Sequence, residues 1–176
     1  MKNLLLLPIL FTFVIGFSQT PITNSNFDAA IADCLATHPV TGLCVNSEYG
    51  PIPNWDVSNV TDMNNAFLLK SDFNGDISSW DVSNVTSMSQ MFGAAQAFDQ
   101  DIGEWDVSNV NDMGSMFGGS QAFNQNLSAW DVSNVTNMFA MFSNATSFNG
   151  DISSWDVSSV TNMVQMFQFA YNFNQD

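Results

Sequence analysis

Apolar residues recur in one fixed order along most of this chain. One stretch carries Ile77, Trp80, Val82, Val85, Met88, Met91, Phe92, Ala95 and Phe98, with polar residues between them. Trp55, Trp80, Trp105, Trp130 and Trp155 each open the string Trp-Asp-Val-Ser, so the period is 25 residues. A fixed period of this size predicts a stack of units, each burying its apolar side against its neighbours. Two patterns follow one another inside a unit. Around Ile77, Trp80 and Val82 apolar and polar positions alternate, which predicts a short strand with Trp80 and Val82 inward and Asp81 outward. Met88, Met91, Phe92 and Ala95 then fall at i, i+3, i+4 and i+7, which predicts a helix of about two turns. Thr86 stands just before that run as an N-cap, as do Thr61, Thr136 and Thr161, with Asn111 in the same place. Asn74-Gly75, Asp99-Gln100, Asn124-Gln125 and Asn149-Gly150 are turn formers that end the units.

The expected fold class is an α/β solenoid. It is a leucine-rich-repeat-like stack of five units, each a short parallel strand plus a short helix, with an N-terminal helical cap. Trp, Val, Met and Phe take the positions where leucine would dominate. The whole unit, W-D-V-S-N-V-T-x-M-x-x-M-F-x-x-A-x-x-F-N-x-D-I-S-x, resembles the BspA-like leucine-rich repeat surface proteins. The resemblance covers all five units. The first departs from the pattern, with Ala66 at the second Met position and Leu68-Leu69-Lys70 after Phe67. The resemblance implies a secreted or cell-surface bacterial protein with a role in adhesion or protein interaction, and it supplies no catalytic residues.

The chain divides into three parts. Met1-Lys2-Asn3 is a positive head, Leu4 to Phe17 an apolar run, and Gly16-Phe17-Ser18 a small-residue cleavage site. Residues 1–18 thus have the layout of a secretory signal peptide. Residues 19–54 do not repeat and read as an N-terminal cap. There Phe27, Ala30, Ile31, Cys34 and Leu35 predict a short amphipathic helix ending near His38-Pro39. Cys34 and Cys44 are the only cysteines, and in an exported chain they are most simply a disulfide. A metal pair using His38 would need further ligands that are not nearby in sequence, so no metal site is assigned. Residues 55–176 are the five repeats, the last incomplete. Asp176 matches Asp76, Asp101 and Asp151, after which an Ile and a strand should follow. That reads as a fragment of a longer protein and predicts weak end-to-end self-association.

Charge narrows the function. The chain has 17 acidic residues, two lysines, no arginine and a formal net charge of −15. Nucleic acid is excluded as a partner, because phosphate backbones require clustered cations. After signal cleavage no stretch is apolar enough to span a membrane. The aspartates following the tryptophans, Asp56, Asp81, Asp106, Asp131 and Asp156, would form a column on the strand face and are the candidate binding residues. They could meet basic side chains of a partner, or Ca²⁺ as a nonstandard site. The preferred reading is structural: each accepts hydrogen bonds from backbone amides or serine hydroxyls of the adjoining turn. Asn59, Asn84, Asn109 and Asn134, with Ser159 after them, read as structural, and the tryptophans and the Met and Phe stripe as core. With one histidine, His38, and no nucleophile–base pair, no cofactor and no enzyme activity are expected. The leading expectation is a secreted or cell-surface interaction or adhesion module. It would bind an extracellular or host protein, or a surface glycan, through its sheet face. The alternative is a structural spacer or surface stalk of a longer protein, calcium-stabilised.

Overall fold

The computed structural model describes residues 20–175. The expected signal peptide, residues 1–18, lies outside them. One α-helix, α1 (Phe27–Thr37), precedes the repeats and buries Phe27, Ala30, Ile31, Cys34 and Leu35. A disulfide joins Cys34 to Cys44, with Cα atoms 5.2 Å apart. Closing a loop of this length contributes about 3 kcal/mol in the chain-entropy picture. A short 3-10 turn, Ile52–Asn54, leads into the first tryptophan.

Among the described residues the units contain neither α-helix nor sheet, which overturns the expected α/β solenoid of strands plus helices. The leucine-rich-repeat likeness falls with it. Where strands were expected, each unit turns back on itself. The Trp80 amide donates to the Ile77 carbonyl and the Val85 amide to the Val82 carbonyl, at 3.1 and 2.9 Å. Between these two turns Asp81 Oδ1 accepts the Ser83 amide at 3.1 Å. Side chains that bond the backbone two residues on compete with a strand ladder for the same amides. Ladder pairing survives only as single-residue parallel bridges, Asp62–Ser87, Ser87–Asp112, Asp112–Asn137 and Asn137–Asn162.

The expected helix is a ribbon of overlapping turns. The amides of Met91, Gly93 and Ala95 donate three residues back, to Met88, Gln90 and Phe92, at 2.9–3.1 Å. The amides between them point out of the unit. Met88, Gln90, Phe92 and Ala94 donate to Asp112, Gly114, Met116 and Gly118 of the next unit, at 2.7–2.9 Å. Past its first turn a helix satisfies its amides internally; here alternate amides join neighbouring units. Turns of three residues and a helix of 3.6 put the same i, i+3 and i+4 positions on one side, so the apolar pattern fits both. The ribbon needs left-handed backbone at two positions per unit, and finds it at Asn65 and Leu69, Gln90 and Ala94, Ser115 and Gly119, Ala140 and Asn144, and Gln165 and Phe169. The threonines are not helix caps. Thr86 donates its amide and its hydroxyl to the Thr61 carbonyl, at 2.8 and 3.1 Å.

The core runs through the whole stack. Apart from Phe139, the Trp, Val, Met and Phe side chains of the first four units are buried, in one continuous cluster that includes α1. Its centre is a double file of phenylalanines. Phe67, Phe92, Phe117, Phe142 and Phe167 stack at ring separations of 5.5–5.6 Å. Phe73, Phe98, Phe123, Phe148 and Phe173 run beside them at 5.9–6.1 Å. Every buried polar side-chain atom among the described residues has a hydrogen-bond partner.

Candidate functional site

The Asp-x-Ser step of each unit decides where the candidate carboxylates point. Asp and Ser two residues apart form a tight local turn, in which the carboxylate accepts the serine amide. Asp56, Asp81, Asp106, Asp131 and Asp156 each do this with Ser58, Ser83, Ser108, Ser133 and Ser158, at 3.0–3.1 Å. In three units the serine hydroxyl adds a second bond to the same oxygen, at 2.6 Å. All five aspartates are exposed. In every case the accepting atom is Oδ1, and Oδ2 takes no bond from the chain among the described residues. The candidate residues therefore form a row along one edge of the stack, as the period requires, but there is no sheet face for them to line.

These turns favour the charged form of Asp56, Asp81, Asp131 and Asp156. The Ser58 hydroxyl, and then its amide, hold the Asp56 carboxyl below the usual carboxylate range. Ser83 does the same for Asp81 and Ser133 for Asp131. For Asp156 the Ser158 amide leads. Repulsion within the row is the weakest influence where it is felt, by Asp81 from Asp56 and by Asp156 from Asp131. Fixed hydrogen bonds to the charged form outweigh a neighbour's charge across water.

Sequence reading missed a second acidic row. Asp76, Asp101 and Asp151, with Asn126 in the same place, accept the amides of Ser78, Gly103, Ser153 and Ser128 at 2.9–3.1 Å. The signal was present in the same Asp-x-Ser spacing one turn earlier in the unit. Serine bonds lower Asp76 and Asp151 as well. A third file is wholly structural. The amides of Asp99, Asn124, Asn149 and Asn174 each donate to the side chain of Asn74, Asp99, Asn124 and Asn149 in the unit before, at 2.7–3.0 Å. Asn84, Asn109 and Asn134 donate to the carbonyls of Ser58, Ser83 and Ser108, at 2.8–2.9 Å. These asparagines link neighbouring units.

Among the described residues no three of His, Cys, Asp or Glu come together as a metal site. The tryptophans offer no aromatic platform in the first four units, where they are 3–5 % exposed. His38 lies on the cap, its Nδ1 within 2.9 Å of the Thr37 hydroxyl. Among the described residues no helix is long and apolar enough to cross a membrane.

One protein-family sequence profile, described as "Mycoplasma protein of unknown function, DUF285", matches residues 43–142 and again 102–176. The two matches overlap, as a repeat placed in two registers would. No curated protein and no solved structure matches the chain.

Proposed function

The chain belongs to the DUF285 family, and on that premise we propose that it is a secreted or cell-surface interaction module whose aspartate rows meet a basic surface on an extracellular protein. The observation that carries this reading is the split use of each carboxylate. One oxygen fixes the turn, and the other faces solvent from a rigid position, repeated once per unit. Such a row gives a basic partner several evenly spaced contacts and a long-range pull. The unit's resemblance to BspA-like surface proteins supports an adhesive role, and the charge of −15 supports a cationic partner.

One observation favours the alternative, a spacer or stalk. Every aspartate of the first row already serves its own turn, so the row has a structural reason to exist. The two readings separate by substitution. Asn126 shows that asparagine makes the same turn, accepting the Ser128 amide at 2.9 Å. Asp81→Asn with Asp106→Asn therefore removes charge and keeps the fold. Under the interaction reading, capture of a basic extracellular partner from a surface-protein pool weakens by about tenfold or more, and binding falls with salt. Unchanged capture with an unchanged melting temperature sinks the row as a binding site and leaves the spacer.

A further inference from the structure

The loop closed by the disulfide stands in for a unit that unit one does not have before it. In later units the amide at the return turn, that of Asp99, Asn124 or Asn149, donates to the side chain at the same place one unit earlier, at 2.7–3.0 Å. The matching amide of unit one is that of Asn74. It donates instead to the Val40 carbonyl, at 2.8 Å. Val40 lies between Cys34 and Cys44, inside the loop. Two more backbone bonds set the loop in this place. The Gly42 amide donates to the His38 carbonyl at 3.0 Å, and the Gly42 carbonyl accepts the Ile52 amide at 2.9 Å. Gly42 has φ 65°, and a Cβ there would meet Ile52 at 2.8 Å.

The loop has little besides the disulfide to hold it. Pro39, Val40, Thr41 and Leu43 are all exposed, so their side chains contribute no core. By contrast α1 has its own hold on the stack, with Phe27 against Trp55 and Trp80 at ring separations of 6.4 and 5.8 Å. Losing the bond therefore frees the loop before the helix. The sulfurs themselves are inside: Cys34 is 0 % and Cys44 2 % exposed. Exchange requires a thiolate to reach one of the two sulfurs. In the folded chain the loop must open before that can happen.

We infer that the Cys34–Cys44 bond is a redox latch on unit one: its formation fixes the loop at residues 38–44 as the template on which Ile52 and Asn74 close, and the closed loop then shields the bond from thiols. The chemistry is a two-electron exchange. A dithiol gives two electrons and two protons to the disulfide and becomes a cyclic disulfide, and Cys34 and Cys44 become thiols. A reducing compartment thus leaves the start of the stack open, and an oxidising one closes it. This device is separate from the aspartate rows.

The test is amide hydrogen exchange on the oxidised chain and on the chain reduced with dithiothreitol in urea and refolded with dithiothreitol present. Reduction speeds exchange at Ile52 and Asn74 by about tenfold or more, and changes it at Asn124 and Asn149 by less than about twofold. Cys34→Ser with Cys44→Ser gives the reduced pattern without any reductant. Dithiothreitol breaks the bond in the folded chain at least about tenfold more slowly than in urea. Equal exchange at Ile52 and Asn74 in both forms overturns the template. Equal acceleration at every amide overturns it as well, by making the bond a staple of the whole stack. Reduction as fast in the folded chain as in urea overturns the shield.

Discussion

The indole N–H of Trp105 donates to the carbonyl oxygen of Ile77, 3.2 Å away and 28 residues earlier in the chain. The same oxygen accepts the Trp80 amide at 3.1 Å. One carbonyl thereby closes a turn within its own unit and anchors the tryptophan of the next. The relation repeats from Trp80 to Ile52, Trp130 to Ile102 and Trp155 to Leu127. Trp105→Phe keeps an aromatic ring in the core and deletes the inter-unit bond. Urea unfolding should show a loss of about 1–2 kcal/mol with an unchanged denaturant slope.

Position in the stack should set the cost of losing a phenylalanine. Phe117 is fully buried between Phe92 and Phe142, at 5.6 and 5.5 Å. Phe167 is half-buried; besides Phe173 of its own unit, at 4.0 Å, it stacks along its file only on Phe142. Phe117→Ala should cost about 3–5 kcal/mol, as a large core truncation does. Phe167→Ala should cost less than half as much, measured by the same urea midpoints.

The left-handed positions make a prediction of opposite sign. Ala94 sits at φ 54° and Gly119, one unit on, at φ 77°. A side chain in this backbone region is strained, and glycine relieves it. Ala94→Gly should raise stability by about 1 kcal/mol, although glycine in ordinary backbone lowers it. Thermal denaturation of the two forms side by side checks the sign.

Acid should unfold the protein late and then steeply. Asp56, Asp76, Asp81, Asp131, Asp151 and Asp156 all have carboxyls held below their usual value of 3.8 by serine bonds. A group whose folded value is depressed stabilises above its unfolded value and loses that contribution as pH falls through the folded one. The melting temperature should hold between pH 7 and about pH 5 and drop below about pH 4. Asp81→Asn should flatten the drop, because asparagine keeps the turn without titrating.

The unit boundaries and the core could be read from periodicity, because burial in a stack repeats with the sequence. Trp80, Val82, Met88 and Phe92 are inside for that reason. The local conformation could not be read the same way. Met88, Met91, Phe92 and Ala95 share a side in a helix and in a ribbon of three-residue turns alike. What separates the two is in the polar positions. Gly119, Asn65 and Asn144 suit left-handed backbone, and the strong helix formers Glu and Arg are missing from the ribbons. The strand prediction failed on the serines, whose carboxylate partners fold the chain locally. The first aspartate row followed from the period, and its attachment to Ser58, Ser83 and Ser108 followed from the Asp-x-Ser spacing, which lets each carboxylate accept from the adjoining turn.

The bonds between units give the stack translational symmetry. An amide at one position meets a carbonyl 24 residues later whichever junction is chosen, as with Met63 and Ser87 or Met113 and Asn137. Removing residues 102–126 would bring Met88 against Asn137 and reproduce a contact that already exists elsewhere. Removing one residue would reproduce none. Length in such a chain is quantised: the structure can lengthen or shorten by a whole unit, about 4.8 Å of rise, and every intermediate size is a defect, as in a one-dimensional crystal.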